Sequence, residues 1–169
     1  MTEDNRYAPP HAPVSDAAVH ESEQELAGRG TRLGAWVIDS IILGFVLSPY
    51  AINTGYLERA MQGQVDMGEL LQLSFVTLVG VLVLNGYLLH KYGQTIGKRL
   101  LAIRIVSALD GQLVTLGKIF GLRYVPIQLA SVIPVIGTIL PIVDVLFIFR
   151  EDRRCLHDLI AGTKVVKVK

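Results

Sequence analysis

Between Leu33 and Ile52 the chain runs for twenty residues with one charge, Asp39, set well inside an otherwise apolar stretch. As a helix rising ~1.5 Å per residue, such a stretch covers the ~30 Å hydrocarbon core of a bilayer. A carboxylate at that depth costs about 2.5–3.5 kcal/mol on insertion scales, so it usually has a partner or a task. Any fold for this chain has to house Asp39.

A second twenty-residue apolar stretch, Leu70–Leu89, carries Gln72, Ser74, Thr77 and Asn85, which points to packing against other helices as well as lipid. With 51% hydrophobic and 18% charged residues in 169, the chain is too apolar for an ordinary soluble domain. Residues 1–30 have no apolar core of the kind a cleaved signal needs, so the first stretch is expected to stay as a span. The third apolar region, Ile119–Phe149, is broken by Pro126, Pro134, Gly137 and Pro141. It reads either as an amphipathic lead-in plus one span, or as a hairpin turning near Pro134–Thr138. Basic residues concentrate in His90–Lys118 and Arg150–Lys169, on either side of this region. The positive-inside rule puts both on the cytoplasmic side, which favours an even number of crossings and therefore the hairpin.

The expected fold is an all-α membrane protein: a bundle of about four transmembrane or re-entrant helices, with segments near 33–52, 70–89, 117–133 and 138–150. Residues 1–28 read as a disordered cytoplasmic tail, with at most a turn of helix at Ser22–Leu26, and residues 29–169 as the membrane domain. His11 and His20 in the tail read as solvated. Leu57–Met61 suits a short surface helix. Ala102–Val106, Gln112–Thr115 and Thr163–Val168 read as strands of a small cytoplasmic sheet, with Asp110-Gly111 as a turn. Both termini are then cytoplasmic, in a multi-pass protein of the bacterial inner membrane.

Few residues offer chemistry. Arg32 and Asp39 are seven apart and share a helix face, ~10 Å apart along the axis. Asp39 reads either as a buried anchor paired with an arginine such as Arg123, or as a carboxylate that binds a cation or carries a proton. Asp144 is the second acid in an apolar run. It either shares a polar cavity with Asp39 and Arg123 or pairs near the interface with Arg150 or Arg153. The segment Gly93–Arg99 is not a phosphate loop, because its glycines are too close and Arg99 stands where Ser or Thr is needed. His157-Asp158 and Ser131 lack companions for nucleophilic catalysis, and no cluster has metal-ligand spacing. One cysteine, Cys155, rules out an internal disulfide. No enzyme, cofactor, metal or nucleic-acid role is expected.

Arg32, Asp39, the segment GQTIGKRLLAIRIV with Asp110-Gly111 behind it, and RRCLHDLIAGTKVV from Arg153 to Val166 together resemble the RDD family, over about Gly28 to Lys169. The family is named for an arginine and two aspartates; Arg32, Asp39 and Asp158 match them. The resemblance implies a bacterial integral membrane protein. For some members it implies cation–proton exchange, with sodium or another monovalent cation as partner, and for others an accessory role in a larger membrane assembly. The expectation is a small secondary transporter, acting as a homo-oligomer, with Asp39 as its working carboxylate, Arg32 as its electrostatic regulator and Asp144 as a second site. A non-transporting scaffold is the alternative. For Asp158 a structural role is equally available, as a helix cap or an ion pair with Arg153 or Arg154.

Overall fold

The computed structural model describes residues 24–168. Among them, two helices are long and apolar enough to cross a membrane: α1 (Arg29–Asn53, 25 residues) and α3 (Met67–Tyr92, 26 residues). At ~1.5 Å per residue both are longer than the ~30 Å hydrocarbon core of a bilayer. Ile41, Phe45, Phe75 and Val83 stand exposed on their outer faces. In water that apolar area would be costly, at ~25 cal/mol per Å²; against lipid it is not.

α1 runs through Pro49 and closes at Thr54, whose N–H donates to Tyr50 O at 3.0 Å. The short helix α2 (Tyr56–Met61) follows. Asp66 then caps α3, its Oδ1 accepting from Glu69 N–H at 2.8 Å.

The far end of α3 sets up everything functional. Gly93 ends the helix at φ 65°, and a Cβ there would strike the Ile105 carbonyl oxygen. The chain turns back and lays α4 (Ile96–Leu100) against α1. Contact is so close that a Cβ on Gly97 would strike the Ala35 carbonyl and crowd the Asp39 carboxyl. β1 (Ile103–Ser107) follows and pairs antiparallel with the C-terminal β2 (Thr163–Lys167), Ile105 opposite Val165.

The third apolar region forms two arms. The first is α5 (Leu116–Ile119), a π-helical turn (Phe120–Tyr124) and α6 (Val125–Ala130) in succession. The second is α7 (Pro134–Leu146) with a 3₁₀ turn (Phe147–Phe149). The turn between them falls at residues 131–133, ahead of the expected Pro134–Thr138. Proline explains the shift. Pro134 occupies the start of α7, where its missing N–H costs nothing, and it holds Ile133 extended at ψ 119°. After α7, α8 (Leu156–Ala161) packs against both it and the π turn and leads into β2.

Two expectations change at the sheet. Residues 24–28, expected to end the tail and partly to be helical, lie along β2. Leu26 bridges Val166, Ala27 N–H donates to Val165 O at 3.0 Å, and Ala27 is fully buried. The rest of the tail, with His11 and His20, lies outside the described residues. The strand expected at Gln112–Thr115 is reduced to a single bridge, Val106 to Leu113 on the edge of β1, because Thr115 already starts the next helix. An apolar core of Ala27, Ala35, Leu89, Ile103, Ile105 and Ile119 joins the sheet to α1 and α3.

Candidate functional site

Among the described residues, Asp158 is the most enclosed charged side chain, with no solvent exposure, and its neighbour Thr163 is as fully buried. It sits in the first turn of α8, where its Oδ2 accepts from the Cys155 N–H at 3.2 Å and closes a capping box. Two arginines complete its coordination. Arg32 of α1 pairs with Oδ2 and Arg123 of the π turn pairs with Oδ1. Thr163 Oγ1 donates to Oδ1 at 3.1 Å and accepts from Arg123 at 3.1 Å. The π turn is what aims Arg123 inward, since the wider turn shifts one position around the helix.

Arg32 also donates to the Arg153 carbonyl, which the left-handed backbone at Arg153 (φ 51°) presents, and to Cys155 Sγ at 3.5 Å. Burial acting alone would push the Asp158 carboxyl up, but the charges of Arg123, His157 and Arg32 hold it well below the usual carboxylate range. Burial raises the Cys155 thiol to about 11.

Asp39 belongs to a second set of contacts. Its Oδ1 accepts from Gly97 N–H at 2.7 Å, its Oδ2 accepts from the Thr95 hydroxyl, and Lys98 Nζ stands 4.0 Å away. Burial, helped by the nearby Arg123 charge, lowers Lys98 to about 8. Asn85 of α3 holds the same loop, its Oδ1 accepting from Ile96 N–H at 2.9 Å. Asp144, on α7, receives the His157 backbone N–H at 2.9 Å and lies 2.7 Å from His157 Nδ1. Burial first, then Arg123, lowers the His157 pKa, while Asp144 opposes the shift.

These groups meet at one cavity of about 270 Å³, lined by Asp39, Lys98, Arg123, Asp144 and His157, with Asn85 and Gln128 among its neutral polar groups. A smaller space of about 60 Å³ carries the same cluster on to Arg32 and Cys155. The cavity has two carboxylates, a lysine, an arginine and an imidazole on its wall, and Arg123 is shared with Asp158 behind it.

Every site residue expected from sequence lies in this region, but the pairings differ. Asp39 is held by Thr95, Gly97 and Lys98, not by an arginine. Asp144 pairs with His157, not with Arg150 or Arg153. Asp158 does cap its helix, but its ion partners are Arg32 and Arg123, while Arg154 instead reaches the backbone oxygens of Thr163 and Asp158. His157-Asp158 gains its companions from α1, the π turn and α7. Thr95, Lys98, Cys155 and Thr163 were missed; the short polar Gln94-Thr95 step after the Gly93 cap was the one local signal. Asp144, Cys155 and His157 also bring one donor atom each within 4.8 Å of one another, which their sequence separation hid. Arg32 already contacts that sulfur and Asp144 already holds the imidazole.

Two apolar spans, a covered sheet edge and a buried Arg–Asp–Arg cluster tying the C-terminal segment to the first span define a small helical membrane protein. The chain belongs to the RDD family, whose profile matches residues 26–162. It is similar to an uncharacterized protein of Haemophilus influenzae, 39% identical over 96 residues, which are 55% of this chain and 59% of that protein. It is also similar to the uncharacterized protein YckC of Bacillus subtilis, 37% identical over 141 residues, which are 82% of this chain and 83% of the relative. No solved structure matches.

Proposed function

We propose that this protein is a small secondary transporter of the inner membrane, exchanging a monovalent cation for a proton at the polar cavity. The observation that carries the reading is that Asp39 and Asp144, the two acids inside apolar segments, line the same space. Asp39 lies ten residues into α1, ~15 Å from its start. A carboxylate there can hold a proton or a cation, but at bilayer depth it cannot stay bare. Lys98 at 4.0 Å supplies a counter-charge when the site is empty. Arg32 acts at one remove, by fixing Asp158 and with it Arg123 on the cavity wall. Among the described residues no group is arranged for bond-breaking catalysis, and the protein is read as a non-enzyme.

In this reading the arms 116–130 and 134–149 form a tilted hairpin whose turn reaches the outer face, giving four membrane segments with both termini cytoplasmic. The first arm spans fifteen residues, ~22 Å, short for a full crossing. A wall this thin favours a homo-oligomer. Single cysteines at residues 131–133, in a chain carrying Cys155→Ser, test the topology: labelling from outside the cell supports the hairpin, and labelling from the cytoplasm alone contradicts it.

A second reading has its own observation. Both Asp39 oxygens are occupied by Thr95 and Gly97, so Asp39 also serves to dock α4 on α1. If that is its whole role, the protein is a scaffold or accessory subunit. Cation-driven proton flux in proteoliposomes separates the two: flux lost in Asp39→Asn with the fold intact supports exchange, and absent flux in the natural protein supports the scaffold.

A further inference from the structure

A second concavity lies away from the Asp39 cavity. It has a volume of about 390 Å³ and is lined by Lys91, Tyr92, Arg99, Arg104, Gln94 and Leu113 among others. Three of these are cations and none is an acid. Among the described residues, Lys91, Arg99 and Arg104 form no ion pair with a carboxylate; Arg29, Lys118, Arg153, Arg154 and Lys164 form none either, but it is Lys91, Arg99 and Arg104 that line this one concavity. The cations are held in place by aromatic and backbone packing. The Arg99 guanidinium stacks 4.4 Å over the Tyr92 ring, Lys91 lies 5.5 Å from the same ring, and Arg104 rides on β1. Gln94 closes the floor, buried, its Nε2 donating to Ile103 O at 2.9 Å.

Position narrows the ligand. Lys91 and Tyr92 are the last two residues of the α3 span, the level at which aromatic rings and lysines meet headgroups. Leu100, next to Arg99, is exposed, so an apolar contact lies beside the charges. Unpaired cations converge on one open pocket at the edge of a bilayer. We infer that Lys91, Arg99 and Arg104 form a binding site for the phosphate of an anionic phospholipid headgroup, with its acyl chains running along α3. Two guanidinium forks match phosphate oxygens, and the ammonium adds a point charge. The site depends on the membrane placement and not on transport.

The test uses the full chain, purified in detergent and stripped of lipid, with phosphatidylglycerol, phosphatidylcholine or free glycerol phosphate added and the unfolding midpoint recorded. Phosphatidylglycerol is expected to raise the midpoint well beyond phosphatidylcholine. Arg99→Gln/Arg104→Gln should weaken that response about tenfold or more in lipid concentration, while Lys118→Gln/Lys164→Gln, which removes equal charge outside the pocket, leaves it in place. If the first variant fails to fold, Lys91→Gln/Arg99→Gln, confined to exposed side chains, replaces it. Equal loss in the pocket and control variants, or an equal response to phosphatidylcholine, overturns the site. A full response to free glycerol phosphate overturns the lipid assignment.

Discussion

Arg32 and Asp158, 126 residues apart in the chain, form an ion pair with neither side chain meaningfully exposed. Arg123 joins from the other side. A buried charge left alone costs far more than a pair gains, so the cluster works by completeness. Asp158→Asn strands two buried guanidinium groups and should lower stability by about 3–5 kcal/mol. Replacing Arg32, Arg123 and Asp158 together by Met, Met and Leu should cost markedly less. Unfolding in detergent, followed by circular dichroism, checks the ordering; a triple variant no better than Asp158→Asn would contradict it.

Cys155 reports on the same cluster. Its thiol is buried against Arg32 and pushed up to about 11, so maleimide should react slowly at pH 7.5. Asp158→Asn or Arg32→Met opens the contact and should speed labelling at least about tenfold. Rapid labelling of the natural protein would mean that the C-terminal segment is not docked as described.

The pH dependence follows from His157 and Asp158. His157 has a folded pKa depressed below its ordinary 6.5, so the unfolded chain takes up the proton first. Its contribution is complete above about pH 6.5 and is lost as pH falls toward the depressed value. The Asp158 carboxyl is also depressed, so its share is present above the ordinary carboxylate range near 3.8 and is lost below it. Stability should therefore fall in two stages on acidification. His157→Gln should flatten the first stage and leave the second, as read from unfolding midpoints from pH 8 down to about pH 2.

Gly97 is the steric key of the Asp39 contacts. Gly97→Ala places a methyl into the Ala35 carbonyl and against the Asp39 carboxyl, which must push α4 away. Overpacking of this kind costs about 1–3 kcal/mol. Thr95→Val, which removes one donor to Asp39 without adding bulk, should cost about 1–3 kcal/mol through the unsatisfied oxygen. Midpoints unchanged in both would remove Asp39 from the docking of α4.

The spans were legible because length and apolarity are properties of single segments. Leu33–Ile52 and Leu70–Leu89 fall inside α1 and α3. The strands Ala102–Val106 and Thr163–Val168 were legible for the same reason, with β-branched residues in alternation. Pairing was not legible. Asp39 finds Thr95, and Asp158 finds Arg32 and Arg123, only because the Gly93 turn and the π turn redirect the chain. A π turn has no local code that separates it from helix. The presence of acids in apolar runs pointed to the right region; which base faces which acid was a tertiary matter.

The exchange mechanism stands or falls on Asp39. Purified protein is reconstituted in proteoliposomes with a trapped pH dye, and sodium or potassium is applied outside. The account predicts cation-dependent proton movement that Asp39→Asn abolishes, with the variant still folded by its slow Cys155 labelling. Flux of undiminished rate in Asp39→Asn would contradict it.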